Sequence, residues 1–231
     1  MSHRKIGRRE LIGALGASGA AVAFGCGNSA ASPTSPTTTT TTTTSSNAAC
    51  AVTPTETIGP YPNLVDLFRS DIREGKSGTL LALTIKVVNV ANACAPVGGA
   101  SVEIWQCDAG GNYSEYGTQA TQTYLRGIQT ANDNGEVTFI TIYPGWYQGR
   151  ATHIHAEVSI NGRSVKVTQI AFPETVNNAV HATGVYASRG SNPTTNLSDG
   201  IFADSLSSEL VTPAGDPTNG YTAAFQIGIA L

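Results

Sequence analysis

From Leu80 to Val90 the chain is dense in branched apolar side chains, and a shorter run of the same kind spans Val102 to Trp105. Between them Cys94-Ala-Pro-Val-Gly-Gly has the composition of a turn, so the two runs read as an antiparallel strand pair. Further strands are expected at Val137–Ile142, Ile154–Ile160, Val165–Phe172 and Ala223–Ile229, several of them bounded by Asn-Gly or Pro-Gly. Long helical periodicity is absent from this part of the chain. Residues Pro173 to Pro217, rich in Asn, Ser, Gly, Pro and Thr, read as loop with one short helical turn. A loop that long inside a compact domain usually carries function or moves. The expected fold is all-β: an antiparallel β-sandwich with long loops and little helix.

One expected strand has chemistry on it. In residues 153–160, HIHAEVSI, the apolar Ile154, Ala156, Val158 and Ile160 alternate with His153, His155, Glu157 and Ser159. A strand sends alternate side chains to opposite faces, so the two histidines stand side by side, spaced so that both rings can meet one metal ion. Two of the chain's four histidines fall here. Two surface histidines are the alternative reading of the same spacing.

Charge and composition narrow the function. The net charge is -3, 13% of residues are charged, and no basic run follows the first nine residues, which excludes an electrostatic footprint for nucleic acid. The length suits one folded domain with appendages. Residues 1–25 read as an export signal: His3-Arg4-Lys5 and Arg8-Arg9 precede an apolar stretch from Leu11 to Gly25, too short to span a bilayer comfortably. The Arg8-Arg9 pair resembles a twin-arginine signal. Cys26 is a candidate lipid anchor, although Ala23 is smaller than the residue usual three places before such a cysteine. Residues 26–47, with their unbroken Thr37-to-Thr44 tract, cannot bury a core and read as a linker. The folded domain is assigned to residues 48–231. In an oxidising compartment Cys50, Cys94 and Cys107 allow one disulfide. Cys50 is the better partner for one of the other two, and both choices remain open.

Four blocks in order carry a family resemblance. They are Thr55-Glu-Thr-Ile-Gly59-Pro60-Tyr61; Val102 to Ser114, with Tyr113 eight residues after Trp105; Pro144-Gly-Trp-Tyr147 with Arg150-Ala-Thr-His153-Ile-His155; and Gln169. Together they resemble the intradiol ring-cleavage dioxygenases, the family of the catechol and protocatechuate dioxygenases. The resemblance implies one iron(III) per chain held by Tyr113, Tyr147, His153 and His155, with Arg150 and Gln169 at the substrate. It implies a catechol-type substrate, dioxygen as co-substrate, and a muconate-type dicarboxylic acid as product. The donor set suits the ion, because a bound cation lowers the pKa of a coordinated acid and lets a phenol bind as phenolate. Two phenolates and one hydroxide would balance three positive charges.

Trp105 and Tyr61 read as core or pocket wall, Arg126 as a brace for a turn, Glu157 as solvated, and His181 as a loop residue outside the ligand set. The chain departs from the family pattern in two places. Only five residues separate Tyr147 from His153, and Ala151 stands where proline is usual after the signature arginine. The shorter connection implies a more open pocket. Two other readings compete: a non-catalytic β-sandwich binding module that keeps the fold, and the same ligands holding copper(II).

Overall fold

The computed structural model describes residues 50–231; the export signal, Cys26, the whole linker and residues 48–49 lie outside the described residues. Among the described residues nine strands form two sheets. They are β1 (Leu80–Asn89), β2 (Ala95–Pro96), β3 (Ser101–Trp105), β4 (Arg126–Thr130), β5 (Glu136–Ile142), β6 (His153–Ile160), β7 (Arg163–Ala171), β8 (Ala214–Asp216) and β9 (Gly220–Ile229). The first sheet has the order β2-β1-β9-β8, with β5 also paired to β1; the second has the order β4-β3-β6-β7.

The core lies between the sheets and follows from strand alternation. Leu81, Leu83, Ile85 and Val87 of β1 point inward and meet Val102 and Ile104 of β3 and Ile154, Ala156 and Val158 of β6, all buried. The all-β sandwich expectation holds. One named pair departs from the antiparallel pattern: β9 runs parallel to β1 over Leu81–Asn89.

The expected pairing of β1 with β3 is incorrect. The turn after β1 sends Ala95–Pro96 back onto β1 itself, with Val88 opposite Pro96, and the chain then crosses to the other sheet. Both runs direct their apolar positions at the core, so they face each other across it instead of sharing an edge. Strand β4 escaped the sequence pattern because Arg-Gly-Ile-Gln-Thr is largely polar. Its Arg126 is fully buried and satisfied, donating to Ser114 Oγ (2.8 Å), Ser114 O (2.6 Å), Tyr61 O (3.0 Å) and Asn63 Oδ1 (2.5 Å).

The long C-terminal segment is more helical than expected. It contains α1 (Glu174–His181) and a short α2 (Leu206–Glu209). His181 therefore ends a helix and is buried, with Nε2 3.3 Å from Pro144 O. Cys50 and Cys94 form the disulfide, and Cys107 is free and buried. The bridge helps tether the segment that follows Cys50, which is also tied to β9 and β7 by Thr53 N–H to Gly228 O (2.9 Å), Glu56 N–H to Val167 O (2.9 Å) and Lys166 Nζ to Thr53 O (2.7 Å). That segment delivers Gly59 and Tyr61 to the outer face of the second sheet.

Candidate metal centre

Strand register builds the centre. Across the second sheet, Arg126 of β4 stands opposite Trp105 of β3, Trp105 opposite His155 of β6, and His155 opposite Gln169 of β7. Directly opposed residues share a face, so these four side chains form one row on the side away from the core. His153 lies on the same face of β6. That face was expected to be the polar one, and toward its Glu157 and Ser159 end it is half-buried. At the histidine end it is covered: His155 is fully buried and His153 is 3% exposed.

The cover over His155 is tight. Its ring stacks on Trp105 with centroids 4.9 Å apart and planes 1° from parallel. Gly59, at φ +77°, also presses on the ring: a Cβ there would lie 2.8 Å from His155 Cε1. Only glycine accepts both that conformation and that approach.

Two loops bring in the tyrosines. The connection after β3 folds around Asp108, whose Oδ1 accepts from the backbone N–H groups of Gly110 (3.0 Å) and Asn112 (2.9 Å), and presents Tyr113. The connection after β5 presents Tyr147. Gly145 lets the two loops touch, because a Cβ there would lie 2.3 Å from Asp108 O. The Tyr113 and Tyr147 rings are then 5.6 Å apart, Tyr147 is 5.5 Å from the His153 ring, and Tyr113 is 6.4 Å from His155. Tyr61 stacks on Tyr113 at 4.6 Å and meets Tyr147 edge-on at 5.8 Å. A cleft of about 200 Å³ opens beside Tyr113, lined in part by Tyr61, Asn112 and Tyr116.

The donor atoms in this cluster have few protein partners. His153 Nδ1 is 2.6 Å from Ala151 O, so it carries the proton and leaves Nε2 with a free lone pair, aimed at His155 Nε2 3.1 Å away. Tyr113 Oη is buried without a hydrogen-bond partner among the described residues, as is His155 Nδ1. Leaving a buried hydroxyl unpaired costs about 1–3 kcal/mol. Burial, reinforced by Arg150, lowers the pKa of His153 to about 3; burial and the neighbouring His153 hold His155 well below its ordinary value. Both rings are therefore neutral, the form that binds metal. Burial raises Tyr113 well above the ordinary phenol value, and raises Tyr147 against the opposing effect of Arg150. These phenols would ionise only against a cation. Two neutral imidazoles and two phenols, with neighbouring rings 4.7–6.4 Å apart, fit a hard trivalent ion. Among the described residues no group of three or more His, Cys, Asp or Glu could hold a metal, so such a centre needs the tyrosines.

Arg150 and Gln169 stand next to the four. Arg150 Nη2 donates to Gln169 Oε1 (2.6 Å), its Nη1 reaches Tyr147 Oη at 3.5 Å, and Gln169 Nε2 donates to Thr57 O (2.9 Å). All six residues singled out in the sequence therefore meet. Asp199 was missed. It is fully buried and receives Arg150 Nε at 2.8 Å, yet it lies in a Ser/Asp/Gly-rich stretch with no motif to mark it.

A family model described as Dioxygenase matches residues 62–190. An intradiol ring-cleavage dioxygenase from Tetranychus urticae is 31% identical, with a TM-score of 0.70, and the match covers 78% of this chain and 95% of that one. The dioxygenase domain of a dioxygenase carbohydrate-binding protein fusion from Streptomyces sp. SirexAA-E is 27% identical, with a TM-score of 0.60, covering 78% of this chain and 99% of that one. A catechol 1,2-dioxygenase of Candida albicans is 34% identical over 109 residues, which are 38% of this chain and 36% of the yeast protein. The chain thus matches little more than a third of that relative's length.

Proposed function

Since the chain belongs to the intradiol ring-cleavage dioxygenase family, we propose that it opens catechol-type rings with dioxygen to give muconate-type dicarboxylic acids, at one iron(III) held by Tyr113, Tyr147, His153 and His155. The observation that carries this reading is the convergence of two phenols and two neutral imidazoles beside the Arg150–Gln169 pair. Iron(III), when bound there, supplies a Lewis acid that withdraws electron density from a coordinated catecholate.

The chain's own residues handle protons, charge and orientation. Tyr147 is the phenol that Arg150 approaches, and its ring is only partly buried, whereas Tyr113 is enclosed. Ionised against the cation, Tyr147 Oη would therefore be the group that takes a proton from an incoming catechol hydroxyl, while Tyr113 stays in place. Arg150, permanently charged and directed by Gln169, faces the negative charge that develops on the ring. Gln169, fixed by Thr57 O, orients that guanidinium and the edge of the substrate. Trp105 and Gly59 hold the His155 ring so that its Nε2 direction cannot drift. The signal read in residues 1–25 supports work outside the cytoplasm, with Cys26 as the candidate lipid attachment point.

The test is the colour and chemistry of the purified protein. Bound iron(III) with tyrosinate ligands gives a reddish protein with visible charge-transfer absorption that Tyr147→Phe shifts, and catechol with dioxygen yields a muconate. A yellow semialdehyde product would refute the intradiol reading. Colourless, iron-free, inactive protein would refute the enzyme reading altogether.

A further inference from the structure

Between Gly190 and Asp199 the chain lies against the segment that carries Tyr147 and Arg150, and it is bonded there repeatedly. Trp146 Nε1 donates to Gly190 O (2.9 Å), and Asn192 Nδ2 donates to Arg150 O (3.0 Å). Asp199 closes the series. Its Oδ2 accepts both Arg150 Nε (2.8 Å) and the Ala151 backbone N–H (2.6 Å), while its Oδ1 accepts the Ile201 N–H (2.8 Å).

These bonds lead to both halves of the centre. Arg150 continues to Gln169 Oε1, and the Ala151 carbonyl receives His153 Nδ1 at 2.6 Å. We propose that Asp199 is a positioning residue whose single oxygen Oδ2 holds the Arg150 guanidinium toward substrate and the backbone of Ala151, whose carbonyl orients His153.

The chemistry of the side chain fits the role. Burial alone would raise the Asp199 pKa, but the Ala151 and Ile201 N–H groups and Arg150 outweigh it and hold the carboxyl below its ordinary value. It is therefore a carboxylate with both oxygens engaged. A fixed acceptor behind a metal-binding histidine sets its tautomer and direction, and for His153 that acceptor is the carbonyl of the residue whose N–H Asp199 holds. The Ala151 N–H is essential to the arrangement, and proline at 151 would have none. The guanidinium is also flanked by Phe202, whose ring centroid is 5.8 Å away and which meets His153 edge-on. The same stretch thus supplies charge on one side and an apolar wall on the other.

Asparagine has the shape of aspartate but one acceptor oxygen in place of two, so Asp199→Asn must set an amide NH2 against an N–H donor whichever way it turns. This inference rests on the proposed function, and the experiment separates the two. On iron-loaded full-length protein, Asp199→Asn should lower kcat about tenfold with KM changed less than about threefold. Asp199→Asn in an Arg150→Met background should cost no further kcat, because the effect passes through the guanidinium. Release of iron to a chelator should be about tenfold faster in Asp199→Asn and also in Ala151→Pro, which keeps the carbonyl toward His153, removes the N–H toward Asp199 and constrains the backbone at Arg150 and residue 151.

Kinetics and iron release matching the parent protein would overturn the proposal. So would losses additive with Arg150→Met that track a lowered melting temperature, since that pattern marks a merely structural carboxylate. If the parent protein turns over no catechol, the proposed function fails by itself. Slow hydrogen exchange at the Ala151 amide, lost in Asp199→Asn, would then still support the clamp, and fast exchange in the parent would overturn it.

Discussion

His153 and His155 reach the centre on a strand, whereas Asp199 reaches it on an irregular segment between two turns. The strand offers direction: alternation and the register with β3 and β7 set where each imidazole points. The segment offers charge and hydrogen bonds, which a strand within a sheet cannot easily supply because its backbone groups are spent on neighbours. A ring stacked on Trp105 and closely approached by Gly59 is held by shape, and a guanidinium between Asp199 and Gln169 is held by paired donors and acceptors. Ligand direction and substrate-side charge are therefore supported by different forces. Asp199 joins the two, because the oxygen that holds Arg150 also accepts the Ala151 N–H behind His153.

The largest effect is expected on the strand side. His155→Ala should abolish iron retention and activity, with a loss beyond the roughly 10–100-fold that removal of an outer partner costs; metal analysis of the purified variant checks it. Gly59→Ala should lower stability by about 1–3 kcal/mol and weaken iron binding, since it combines a positive φ with a Cβ pressed on His155. Denaturant unfolding with and without iron measures both, and a Gly59→Ala protein as stable as the parent would show that the ring is not held by shape.

On the irregular side the effects are smaller. Glu209 of α2 is buried against β7, with Oε1 accepting from Thr168 Oγ1 at 3.1 Å and Oε2 from Ser205 Oγ at 2.5 Å. Burial, with a further push from Glu56, raises its pKa to about 7 despite those bonds. A carboxyl raised on folding adds stability that is fully present below the ordinary value of 4.5 and is lost as pH rises through about 7. Glu209→Gln should therefore flatten the stability profile between those limits and gain on the order of 1 kcal/mol over the parent above pH 7. Thermal melts across that range decide it; a parallel profile would contradict the assignment. Asn192→Ala, which removes the bond to Arg150 O, should cost about 1 kcal/mol of stability and shift KM more than iron binding.

The sequence by itself determined the β-rich fold and the alternation that places both histidines on one face of β6, and through four ordered blocks it singled out Tyr113, Tyr147, Arg150, His153, His155 and Gln169, which the fold brings together. These are local or motif-bound properties: a period of two, or a spacing within one connection. Strand pairing was not legible, because β1 and β3 carry the same inward apolar pattern whether they share a sheet or face each other across the core. Nor was the buried face of the histidines, which looks polar along the chain and is enclosed only once Gly59 and Tyr61 arrive from the N-terminal segment. Cys94, not Cys107, proved to be the partner of Cys50, a choice that distance in space makes and residue order cannot. Asp199 is the clearest case. No residue near it in sequence marks it, and its role exists only because folding carries its carboxylate to within hydrogen-bonding distance of Arg150 and Ala151, almost fifty residues earlier in the chain.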